Sequence, residues 1–249
     1  MEDETPDVPG AWRLTLHQNP HGYRFALDAF LLADFVSSCS AGPVIELGTG
    51  CGVVACLLAR RFPAVAIVGL ELQASLADTA QRNVTRNGLG RQVGIVRGDM
   101  RNAVSCLLPG WFGAVVCNPP YRAVGRGRLN PDPEKAIARH EVAVRLDEVV
   151  QASRRLLKRR GRLALVYHPS RLAELCSLLQ AADLNTRRVR FVHPEPCGPA
   201  TMVLVEALHG GRDALEVLPP LVVYQAPKVY SPEMQAIFHG RALAEGCPS

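Results

Sequence analysis

Apolar and polar positions alternate along this chain in two rhythms. Short apolar runs lie at 43–50 (PVIELGTG), 64–72 (AVAIVGLEL), 92–100 (QVGIVRGDM), 113–118 (GAVVCN) and 162–168 (RLALVYH), and they predict strands. Between them, apolar residues recur at helical spacing over 53–62, 75–88, 146–161 and 170–183, which predicts helices. Gly88 and Gly161 stand where two of these helices should stop. The stretch 22–37 (GYRFALDAFLLADFVS) reads as an opening helix with Asp28 as a candidate N-cap. Runs at 186–194 and 200–210, joined by a Pro/Gly turn, read as a hairpin, and 218–240 as an apolar segment with a final helix. Strands alternating with helices predict an α/β fold, a mostly parallel sheet covered on both faces, with the hairpin as an antiparallel addition.

Two stretches lack a period. Residues 1–20 read as a flexible lead, and residues 21–249 as one domain. Inside that domain, 122–139 is rich in Gly, Pro and charge and reads as a long mobile basic loop.

Composition removes several function classes. No apolar run reaches the ~18 residues of a membrane span, and the acidic start MEDETPDVPG is unlike a signal peptide, so a cytoplasmic protein is expected. The eight cysteines form no CxxC pair and no His/Cys finger, which predicts reduced thiols packed as small hydrophobes and no metal site. The net charge is +5, and the cations are nearly all arginine, with Lys135, Lys158 and Lys228 the three exceptions. They cluster at 122–128, 154–162 and 187–190. Arginine's planar fork suits phosphate, so nucleic acid is a candidate partner. Monomer and homodimer both stay open.

The candidate chemistry sits at the ends of the strands. ELGTGCGVV places Gly48, Gly50 and Gly52 between a strand and a helix, where glycine lets backbone approach a ligand. The spacing is not that of a dinucleotide fingerprint, and no Gly-Lys-Ser/Thr follows, which disfavours a P-loop. Glu71 ends the second strand about 20 residues later, where an acidic residue can accept from ribose hydroxyls. Asp99 ends the third strand and can accept from an adenine amine, or simply form a turn. Asn118 ends the fourth, in VVCNPPYR. Pro119 and Pro120 have fixed φ and no N–H, so they stop the strand and hold Asn118 and Tyr121 at the sheet's edge. Open α/β sheets bind ligands at this carboxyl edge, so these residues describe one site.

In this order, the glycine loop, Glu71, Asp99 and NPPY resemble an S-adenosyl-L-methionine-dependent methyltransferase of the class I fold. That is a Rossmann-like three-layer sandwich with a mostly parallel seven-stranded sheet and an antiparallel terminal hairpin. The resemblance implies methylation of a planar nitrogen, either adenine N6 or a glutamine amide. Glutamine-modifying relatives carry a helical domain before the glycine loop, and here only about forty residues precede it. Further stretches, including GYRFALDAFLLADF, CNPPYRAVGRGRLNP, AIARHE and PPLVVY with YSPEMQAIF, are similar to the YfiC-like bacterial tRNA (adenine-N6)-methyltransferases. Where better-known members of that family carry a Gly-Thr-Asp type of motif, this chain has ALDAF.

The resemblance implies adenine 37 of valine tRNA as the target, with a release-factor glutamine or an rRNA base as alternatives and a non-catalytic RNA-binding protein as a further one. It implies catalytic roles for Asn118, Pro119, Pro120 and Tyr121. Cofactor contacts are implied for Asp28, Glu46, Gly48, Thr49, Gly50, Gly52, Glu71, Leu72, Asp99, Met100 and Asn118. Substrate contacts are implied for Phe25, Tyr121, Arg122, Arg126, Arg128 and Arg139.

Overall fold

The computed structural model describes residues 12–17, 27–37, 42–105, 107–119 and 145–240. The strand–helix rhythm of the sequence becomes β1 (Val44–Leu47), α2 (Val53–Arg61), β2 (Ile67–Glu71), α3 (Ala74–Arg86), β3 (Val93–Arg97), a 3-10 turn (Met100–Ser105) and β4 (Phe112–Cys117), after an opening helix α1 (Leu27–Phe35). Next come α4 (Leu146–Leu156), β5 (Leu157–Tyr167), α5 (Leu172–Ala181), β6 (Leu184–His193) and β7 (Met202–His209). Short strands β8 (Glu216–Val217), β9 (Leu221–Val222), β10 (Tyr224–Ala226) and β11 (Val229–Tyr230) precede the last helix, α6 (Pro232–Phe238).

The main sheet runs β3-β2-β1-β4-β5-β7-β6-β8, with β9 also on β6. Pairings from β3 to β5 are parallel, and β7 is antiparallel to both β5 and β6. The hairpin is therefore not a simple edge, because its second strand inserts between β5 and its first. Two-residue strands extend the seven expected strands to nine in this sheet, and β10 pairs only with β11. They arise in 216–230, where Pro219, Pro220 and Pro227 keep each strand short.

Alternate residues of each strand enter different cores, which gives three layers. Val44, Ile67, Val116, Ala164 and Leu204 pack with α1, α2 and α6. Ile45, Leu70, Val115, Leu163 and Val205 pack with α4 and α5.

Three expectations need correction. The helix read as ending at Gly161 stops at Leu156, because Leu156 and Leu157 are both fully buried and Leu157 is already extended. Lys158, Arg159 and Arg160 thus belong to the irregular start of β5, where its register against β4 shifts. Asp28 is not an N-cap. It lies inside the first turn of α1, buried, with Oδ1 accepting from the Ala29 N–H (2.9 Å). Residues 12–17, read as part of a flexible lead, are docked: Trp12, Leu14 and Leu16 are buried, and Trp12 Nε1 donates to the Ile237 carbonyl (3.0 Å).

Much of the positive charge is also structural. Glu206, on β7 and almost fully buried, meets Arg162 of β5 at 2.7 Å and Arg188 of β6 at 3.7 Å, and accepts from Ser37 Oγ at 2.6 Å. Arg188 lies over the Phe35 ring, and Arg190 pairs with Glu233 at 2.6 Å. The 187–190 cluster thus pins α1 and α6 to the sheet. Arg61 of α2 donates to the carbonyls of Ala33 and Asp34, closing the C-terminal end of α1.

Candidate active site

The carboxyl ends of β1 and β4, neighbours in the sheet, hold the glycine loop and Asn118 side by side. Together with Ala29 of α1 they line a small open depression, whose wall includes Glu46, Gly48, Thr49, Gly50, Cys51 and Asn118. This is the crevice expected for an open α/β sheet.

The loop needs its glycines. Gly48, Gly50 and Gly52 have φ of +70°, +58° and +82°, a region that costs other residues energy. No atom lies within 4 Å of where a Cβ would stand on Gly50, so its face is open to a ligand. A Cβ on Gly52 would stand 3.1 Å from that of Ala80, so this glycine serves the packing of α2 on α3.

Two acidic side chains brace the loop. Glu46 points under it, accepting from Thr49 Oγ1 (2.5 Å) and the Ala55 N–H (2.9 Å). Burial raises the Glu46 pKa from 4.5 to about 8, against the two hydrogen bonds, which favour the charged form. Glu71 accepts from the Gly50 N–H through Oε2 (2.9 Å) and the Gln73 N–H through Oε1 (2.9 Å). Each of its oxygens keeps acceptor capacity, since a carboxylate has about four acceptor positions.

Asp99 takes its turn-forming role in full. Its carboxylate accepts from the Arg101 N–H (2.9 Å), Nε (2.9 and 3.0 Å) and a terminal guanidinium nitrogen (2.5 Å). The Arg101 hydrogen bonds hold its pKa below the usual carboxylate value. Met100 approaches the glycine loop, its Cε 3.6 Å from where a Cβ of Gly48 would be. Leu72 follows Glu71 and is half-buried. Pro119 is buried beyond Asn118. Phe25, Pro120, Tyr121, Arg122, Arg126, Arg128 and Arg139, with the rest of the 122–139 loop, lie outside the described residues.

With this geometry in view, the family can be read. The methyltransferase small domain family matches residues 28–185, more than half of the chain. The chain belongs to that family. A relative from Porphyromonas gingivalis, named tRNA1(Val) (adenine(37)-N6)-methyltransferase, is 28% identical over 236 residues, 91% of each chain. A Photobacterium profundum protein of the same name is 27% identical, over 74% of this chain and 77% of its own.

Among solved structures, a protein from Agrobacterium tumefaciens described as a predicted O-methyltransferase superposes with a TM-score of 0.69 at 21% identity, covering 86% of this chain and 97% of its own. Geranyl diphosphate C-methyltransferase from Streptomyces coelicolor, solved with Mg2+, geranyl diphosphate and S-adenosyl-L-homocysteine, gives 0.56 at 15% identity, covering 73% of this chain and 76% of its own. These likenesses establish a class I methyltransferase fold. Among the described residues, no helix is long and apolar enough to cross a membrane and no group of three His, Cys, Asp or Glu is placed to hold a metal ion. Cys51, Cys56 and Cys117 are buried free thiols, and burial pushes Cys51 up to about 11 and Cys56 up to about 12.

Two residues that the sequence pattern did not single out serve the site. Gly69 of β2 leaves room for the Thr49 side chain. Asn83 of α3 is fully buried and donates to the Cys51 carbonyl (2.8 Å). A lone glycine inside an apolar strand and an asparagine in mid-helix were the available signals.

Proposed function

We propose that this methyltransferase transfers a methyl group from S-adenosyl-L-methionine to the exocyclic N6 of an adenine in tRNA, with adenine 37 of valine tRNA, named for its relatives, as the target. The observation that carries the reading is the juxtaposition of Asn118, first residue of Asn-Pro-Pro-Tyr, with the glycine loop across one depression. The residues fit the cofactor: Gly50 leaves open space where a Cβ would be, and Glu71 keeps acceptor positions for ribose hydroxyls. When bound, S-adenosyl-L-methionine supplies an electrophilic methyl on a sulfonium.

The chain's own groups do the rest. Gly48, Thr49 and Gly50 would line the cofactor, with Gly52 completing the turn into α2 and Glu46 holding the loop from beneath. Met100 and Leu72 would flank its adenine, and the adenine amine would take the place of one Arg101 bond on Asp99. Asp28 accepts from the N–H of Ala29, which lines the depression, and so would act on the cofactor through α1. An aromatic amine is a poor nucleophile because its lone pair is delocalised into the ring. The Asn118 side-chain oxygen and the Pro119 carbonyl accept its two N–H bonds, turning the lone pair toward the methyl and spreading the developing positive charge. The N–C bond would form as the sulfonium S–C bond breaks, leaving neutral S-adenosyl-L-homocysteine, and the acidic methylated nitrogen would release one proton to water. Orientation and fixed dipoles supply the acceleration, so the site needs no strong base. Tyr121 and Phe25 stack on the base, and Arg122, Arg126, Arg128 and Arg139 hold phosphates around an extruded adenine.

The test is incubation with labelled S-adenosyl-L-methionine and unmodified bulk tRNA, followed by digestion to nucleosides. Label in N6-methyladenosine is the expected result. Label in a release-factor glutamine instead, with none in RNA, would refute the assignment.

A further inference from the structure

Asn83 joins two parts of the molecule that are distant in sequence. Its Nδ2 donates to the Cys51 carbonyl (2.8 Å) and to the His17 carbonyl (3.0 Å), while its Oδ1 accepts from the His17 N–H (2.8 Å). Both donors and the acceptor of this fully buried amide are thereby used. One helical turn later, Asn87 repeats the pairing on Thr15: Oδ1 accepts its N–H and Nδ2 donates to its carbonyl, both at 2.8 Å. The match is geometric. Four helical residues advance about 6 Å, close to the ~6.6 Å advance of two extended residues, so two asparagines can replace a neighbouring strand. Only Asn83, however, also reaches the glycine loop.

The contact falls at a sensitive point. The Cys51–Gly52 peptide leads into a left-handed glycine, Gly52 (φ +82°), and one residue before it stands another, Gly50 (φ +58°), so the loop here has conformational freedom that other residues lack. Here it is held at both ends: the Gly52 N–H donates to the Thr49 carbonyl (2.9 Å), and the Cys51 carbonyl accepts from Asn83. Gly50 and Cys51 both line the depression.

We propose that Asn83 is a positioning residue for cofactor binding: it fixes the glycine-loop peptide and locks it to the docked strap 12–17. This rests on the reading of that loop as the cofactor site, but not on the identity of the methyl acceptor. S-adenosyl-L-homocysteine binding by calorimetry is therefore the readout, and RNA plays no part in it. Asn83→Ala should weaken binding about tenfold, as expected for loss of a buried hydrogen bond that pre-organises a loop. Asn87→Ala, which loosens the strap and removes a bond to the Asn83 backbone carbonyl (2.8 Å) but none to the loop, should lower the melting temperature and leave affinity within about twofold.

Equal affinity loss in both variants, or none in Asn83→Ala, would reduce Asn83 to a structural role and overturn the proposal. A wild-type chain that binds no S-adenosyl-L-homocysteine would overturn the cofactor reading as well. Should Asn83→Ala fail to fold, amide exchange on the wild type decides. The ligand should slow exchange of the His17 N–H, which is bonded to Asn83, at least about threefold more than that of Thr15, bonded to Asn87. Equal protection of the two amides would overturn the proposal.

Discussion

Replacing Gly69 by alanine adds one methyl group under the glycine loop. Gly69 is the register partner of Glu46 on one side and of Ile95 on the other, at the point where Thr49 folds back over β2. Its Cβ would stand 2.9 Å from Ile95 Cδ1 and 2.9 Å from Thr49 Cγ2 and Oγ1. Carbon atoms pack at about 3.5–4.0 Å, so both neighbours must retreat by roughly half an ångström or more. Such overpacking costs about 1–3 kcal/mol. Moving Thr49 also strains the buried hydrogen bond of its hydroxyl to Glu46 (2.5 Å), at about 1–3 kcal/mol.

A total near 3 kcal/mol corresponds to a fall in melting temperature of roughly 6–12 °C for a domain of this size. Calorimetry or thermal circular dichroism reads it, and S-adenosyl-L-homocysteine affinity should fall with it. Ile95→Val removes the clashing Cδ1. In the double variant, Gly69→Ala should therefore cost about 1 kcal/mol less than it does alone. A Gly69→Ala protein within about 0.5 kcal/mol of wild type, or a strictly additive double variant, would refute the steric reasoning.

Other consequences can be measured directly. Asn118→Ala should abolish methyl transfer while leaving S-adenosyl-L-homocysteine affinity nearly intact; parallel loss of both in activity and calorimetric assays would remove it from the chemistry. Glu206→Ala leaves the Arg162 and Arg188 guanidiniums without their shared carboxylate and should cost about 3 kcal/mol in urea unfolding. A change under about 1 kcal/mol would mean that the network is not a brace. Glu46, raised from 4.5 to about 8, is protonated in the folded state over a range where the unfolded chain ionises it. Its contribution to stability is present below pH 4.5 and is lost as pH rises through about 8, and Glu46→Gln should flatten that slope. Affinity for tRNA should fall steeply with added salt, and a flat response in filter binding would argue against phosphate contacts.

Much of the architecture was legible in the order of residues. Periodicity depends on which face of an element is buried, and it located β1 to β7 and their helices to within a few residues. The glycines, Glu71, Asp99 and Asn118 could be placed because each ends a strand, and strand ends converge in a parallel sheet. Boundaries failed where two rules competed. Leu156 and Leu157 satisfy helix and strand alike, and only the bulged register against β4 decides between them. The arginines of 187–190 looked like a phosphate-binding cluster because their acidic partners, Glu206 and Glu233, stand far off in sequence.

The sequence by itself determined the fold class and which strand ends converge on one edge of the sheet, since these follow from local pattern and residue type. Tertiary structure decided which polar groups serve that site. Asn83 and Gly69 became visible only when α3 and β2 were packed against the glycine loop, and Asp99 proved to be held by Arg101 only once its turn had formed. Hydrogen bonds and close contacts between distant segments depend on three-dimensional register, which a linear pattern does not encode.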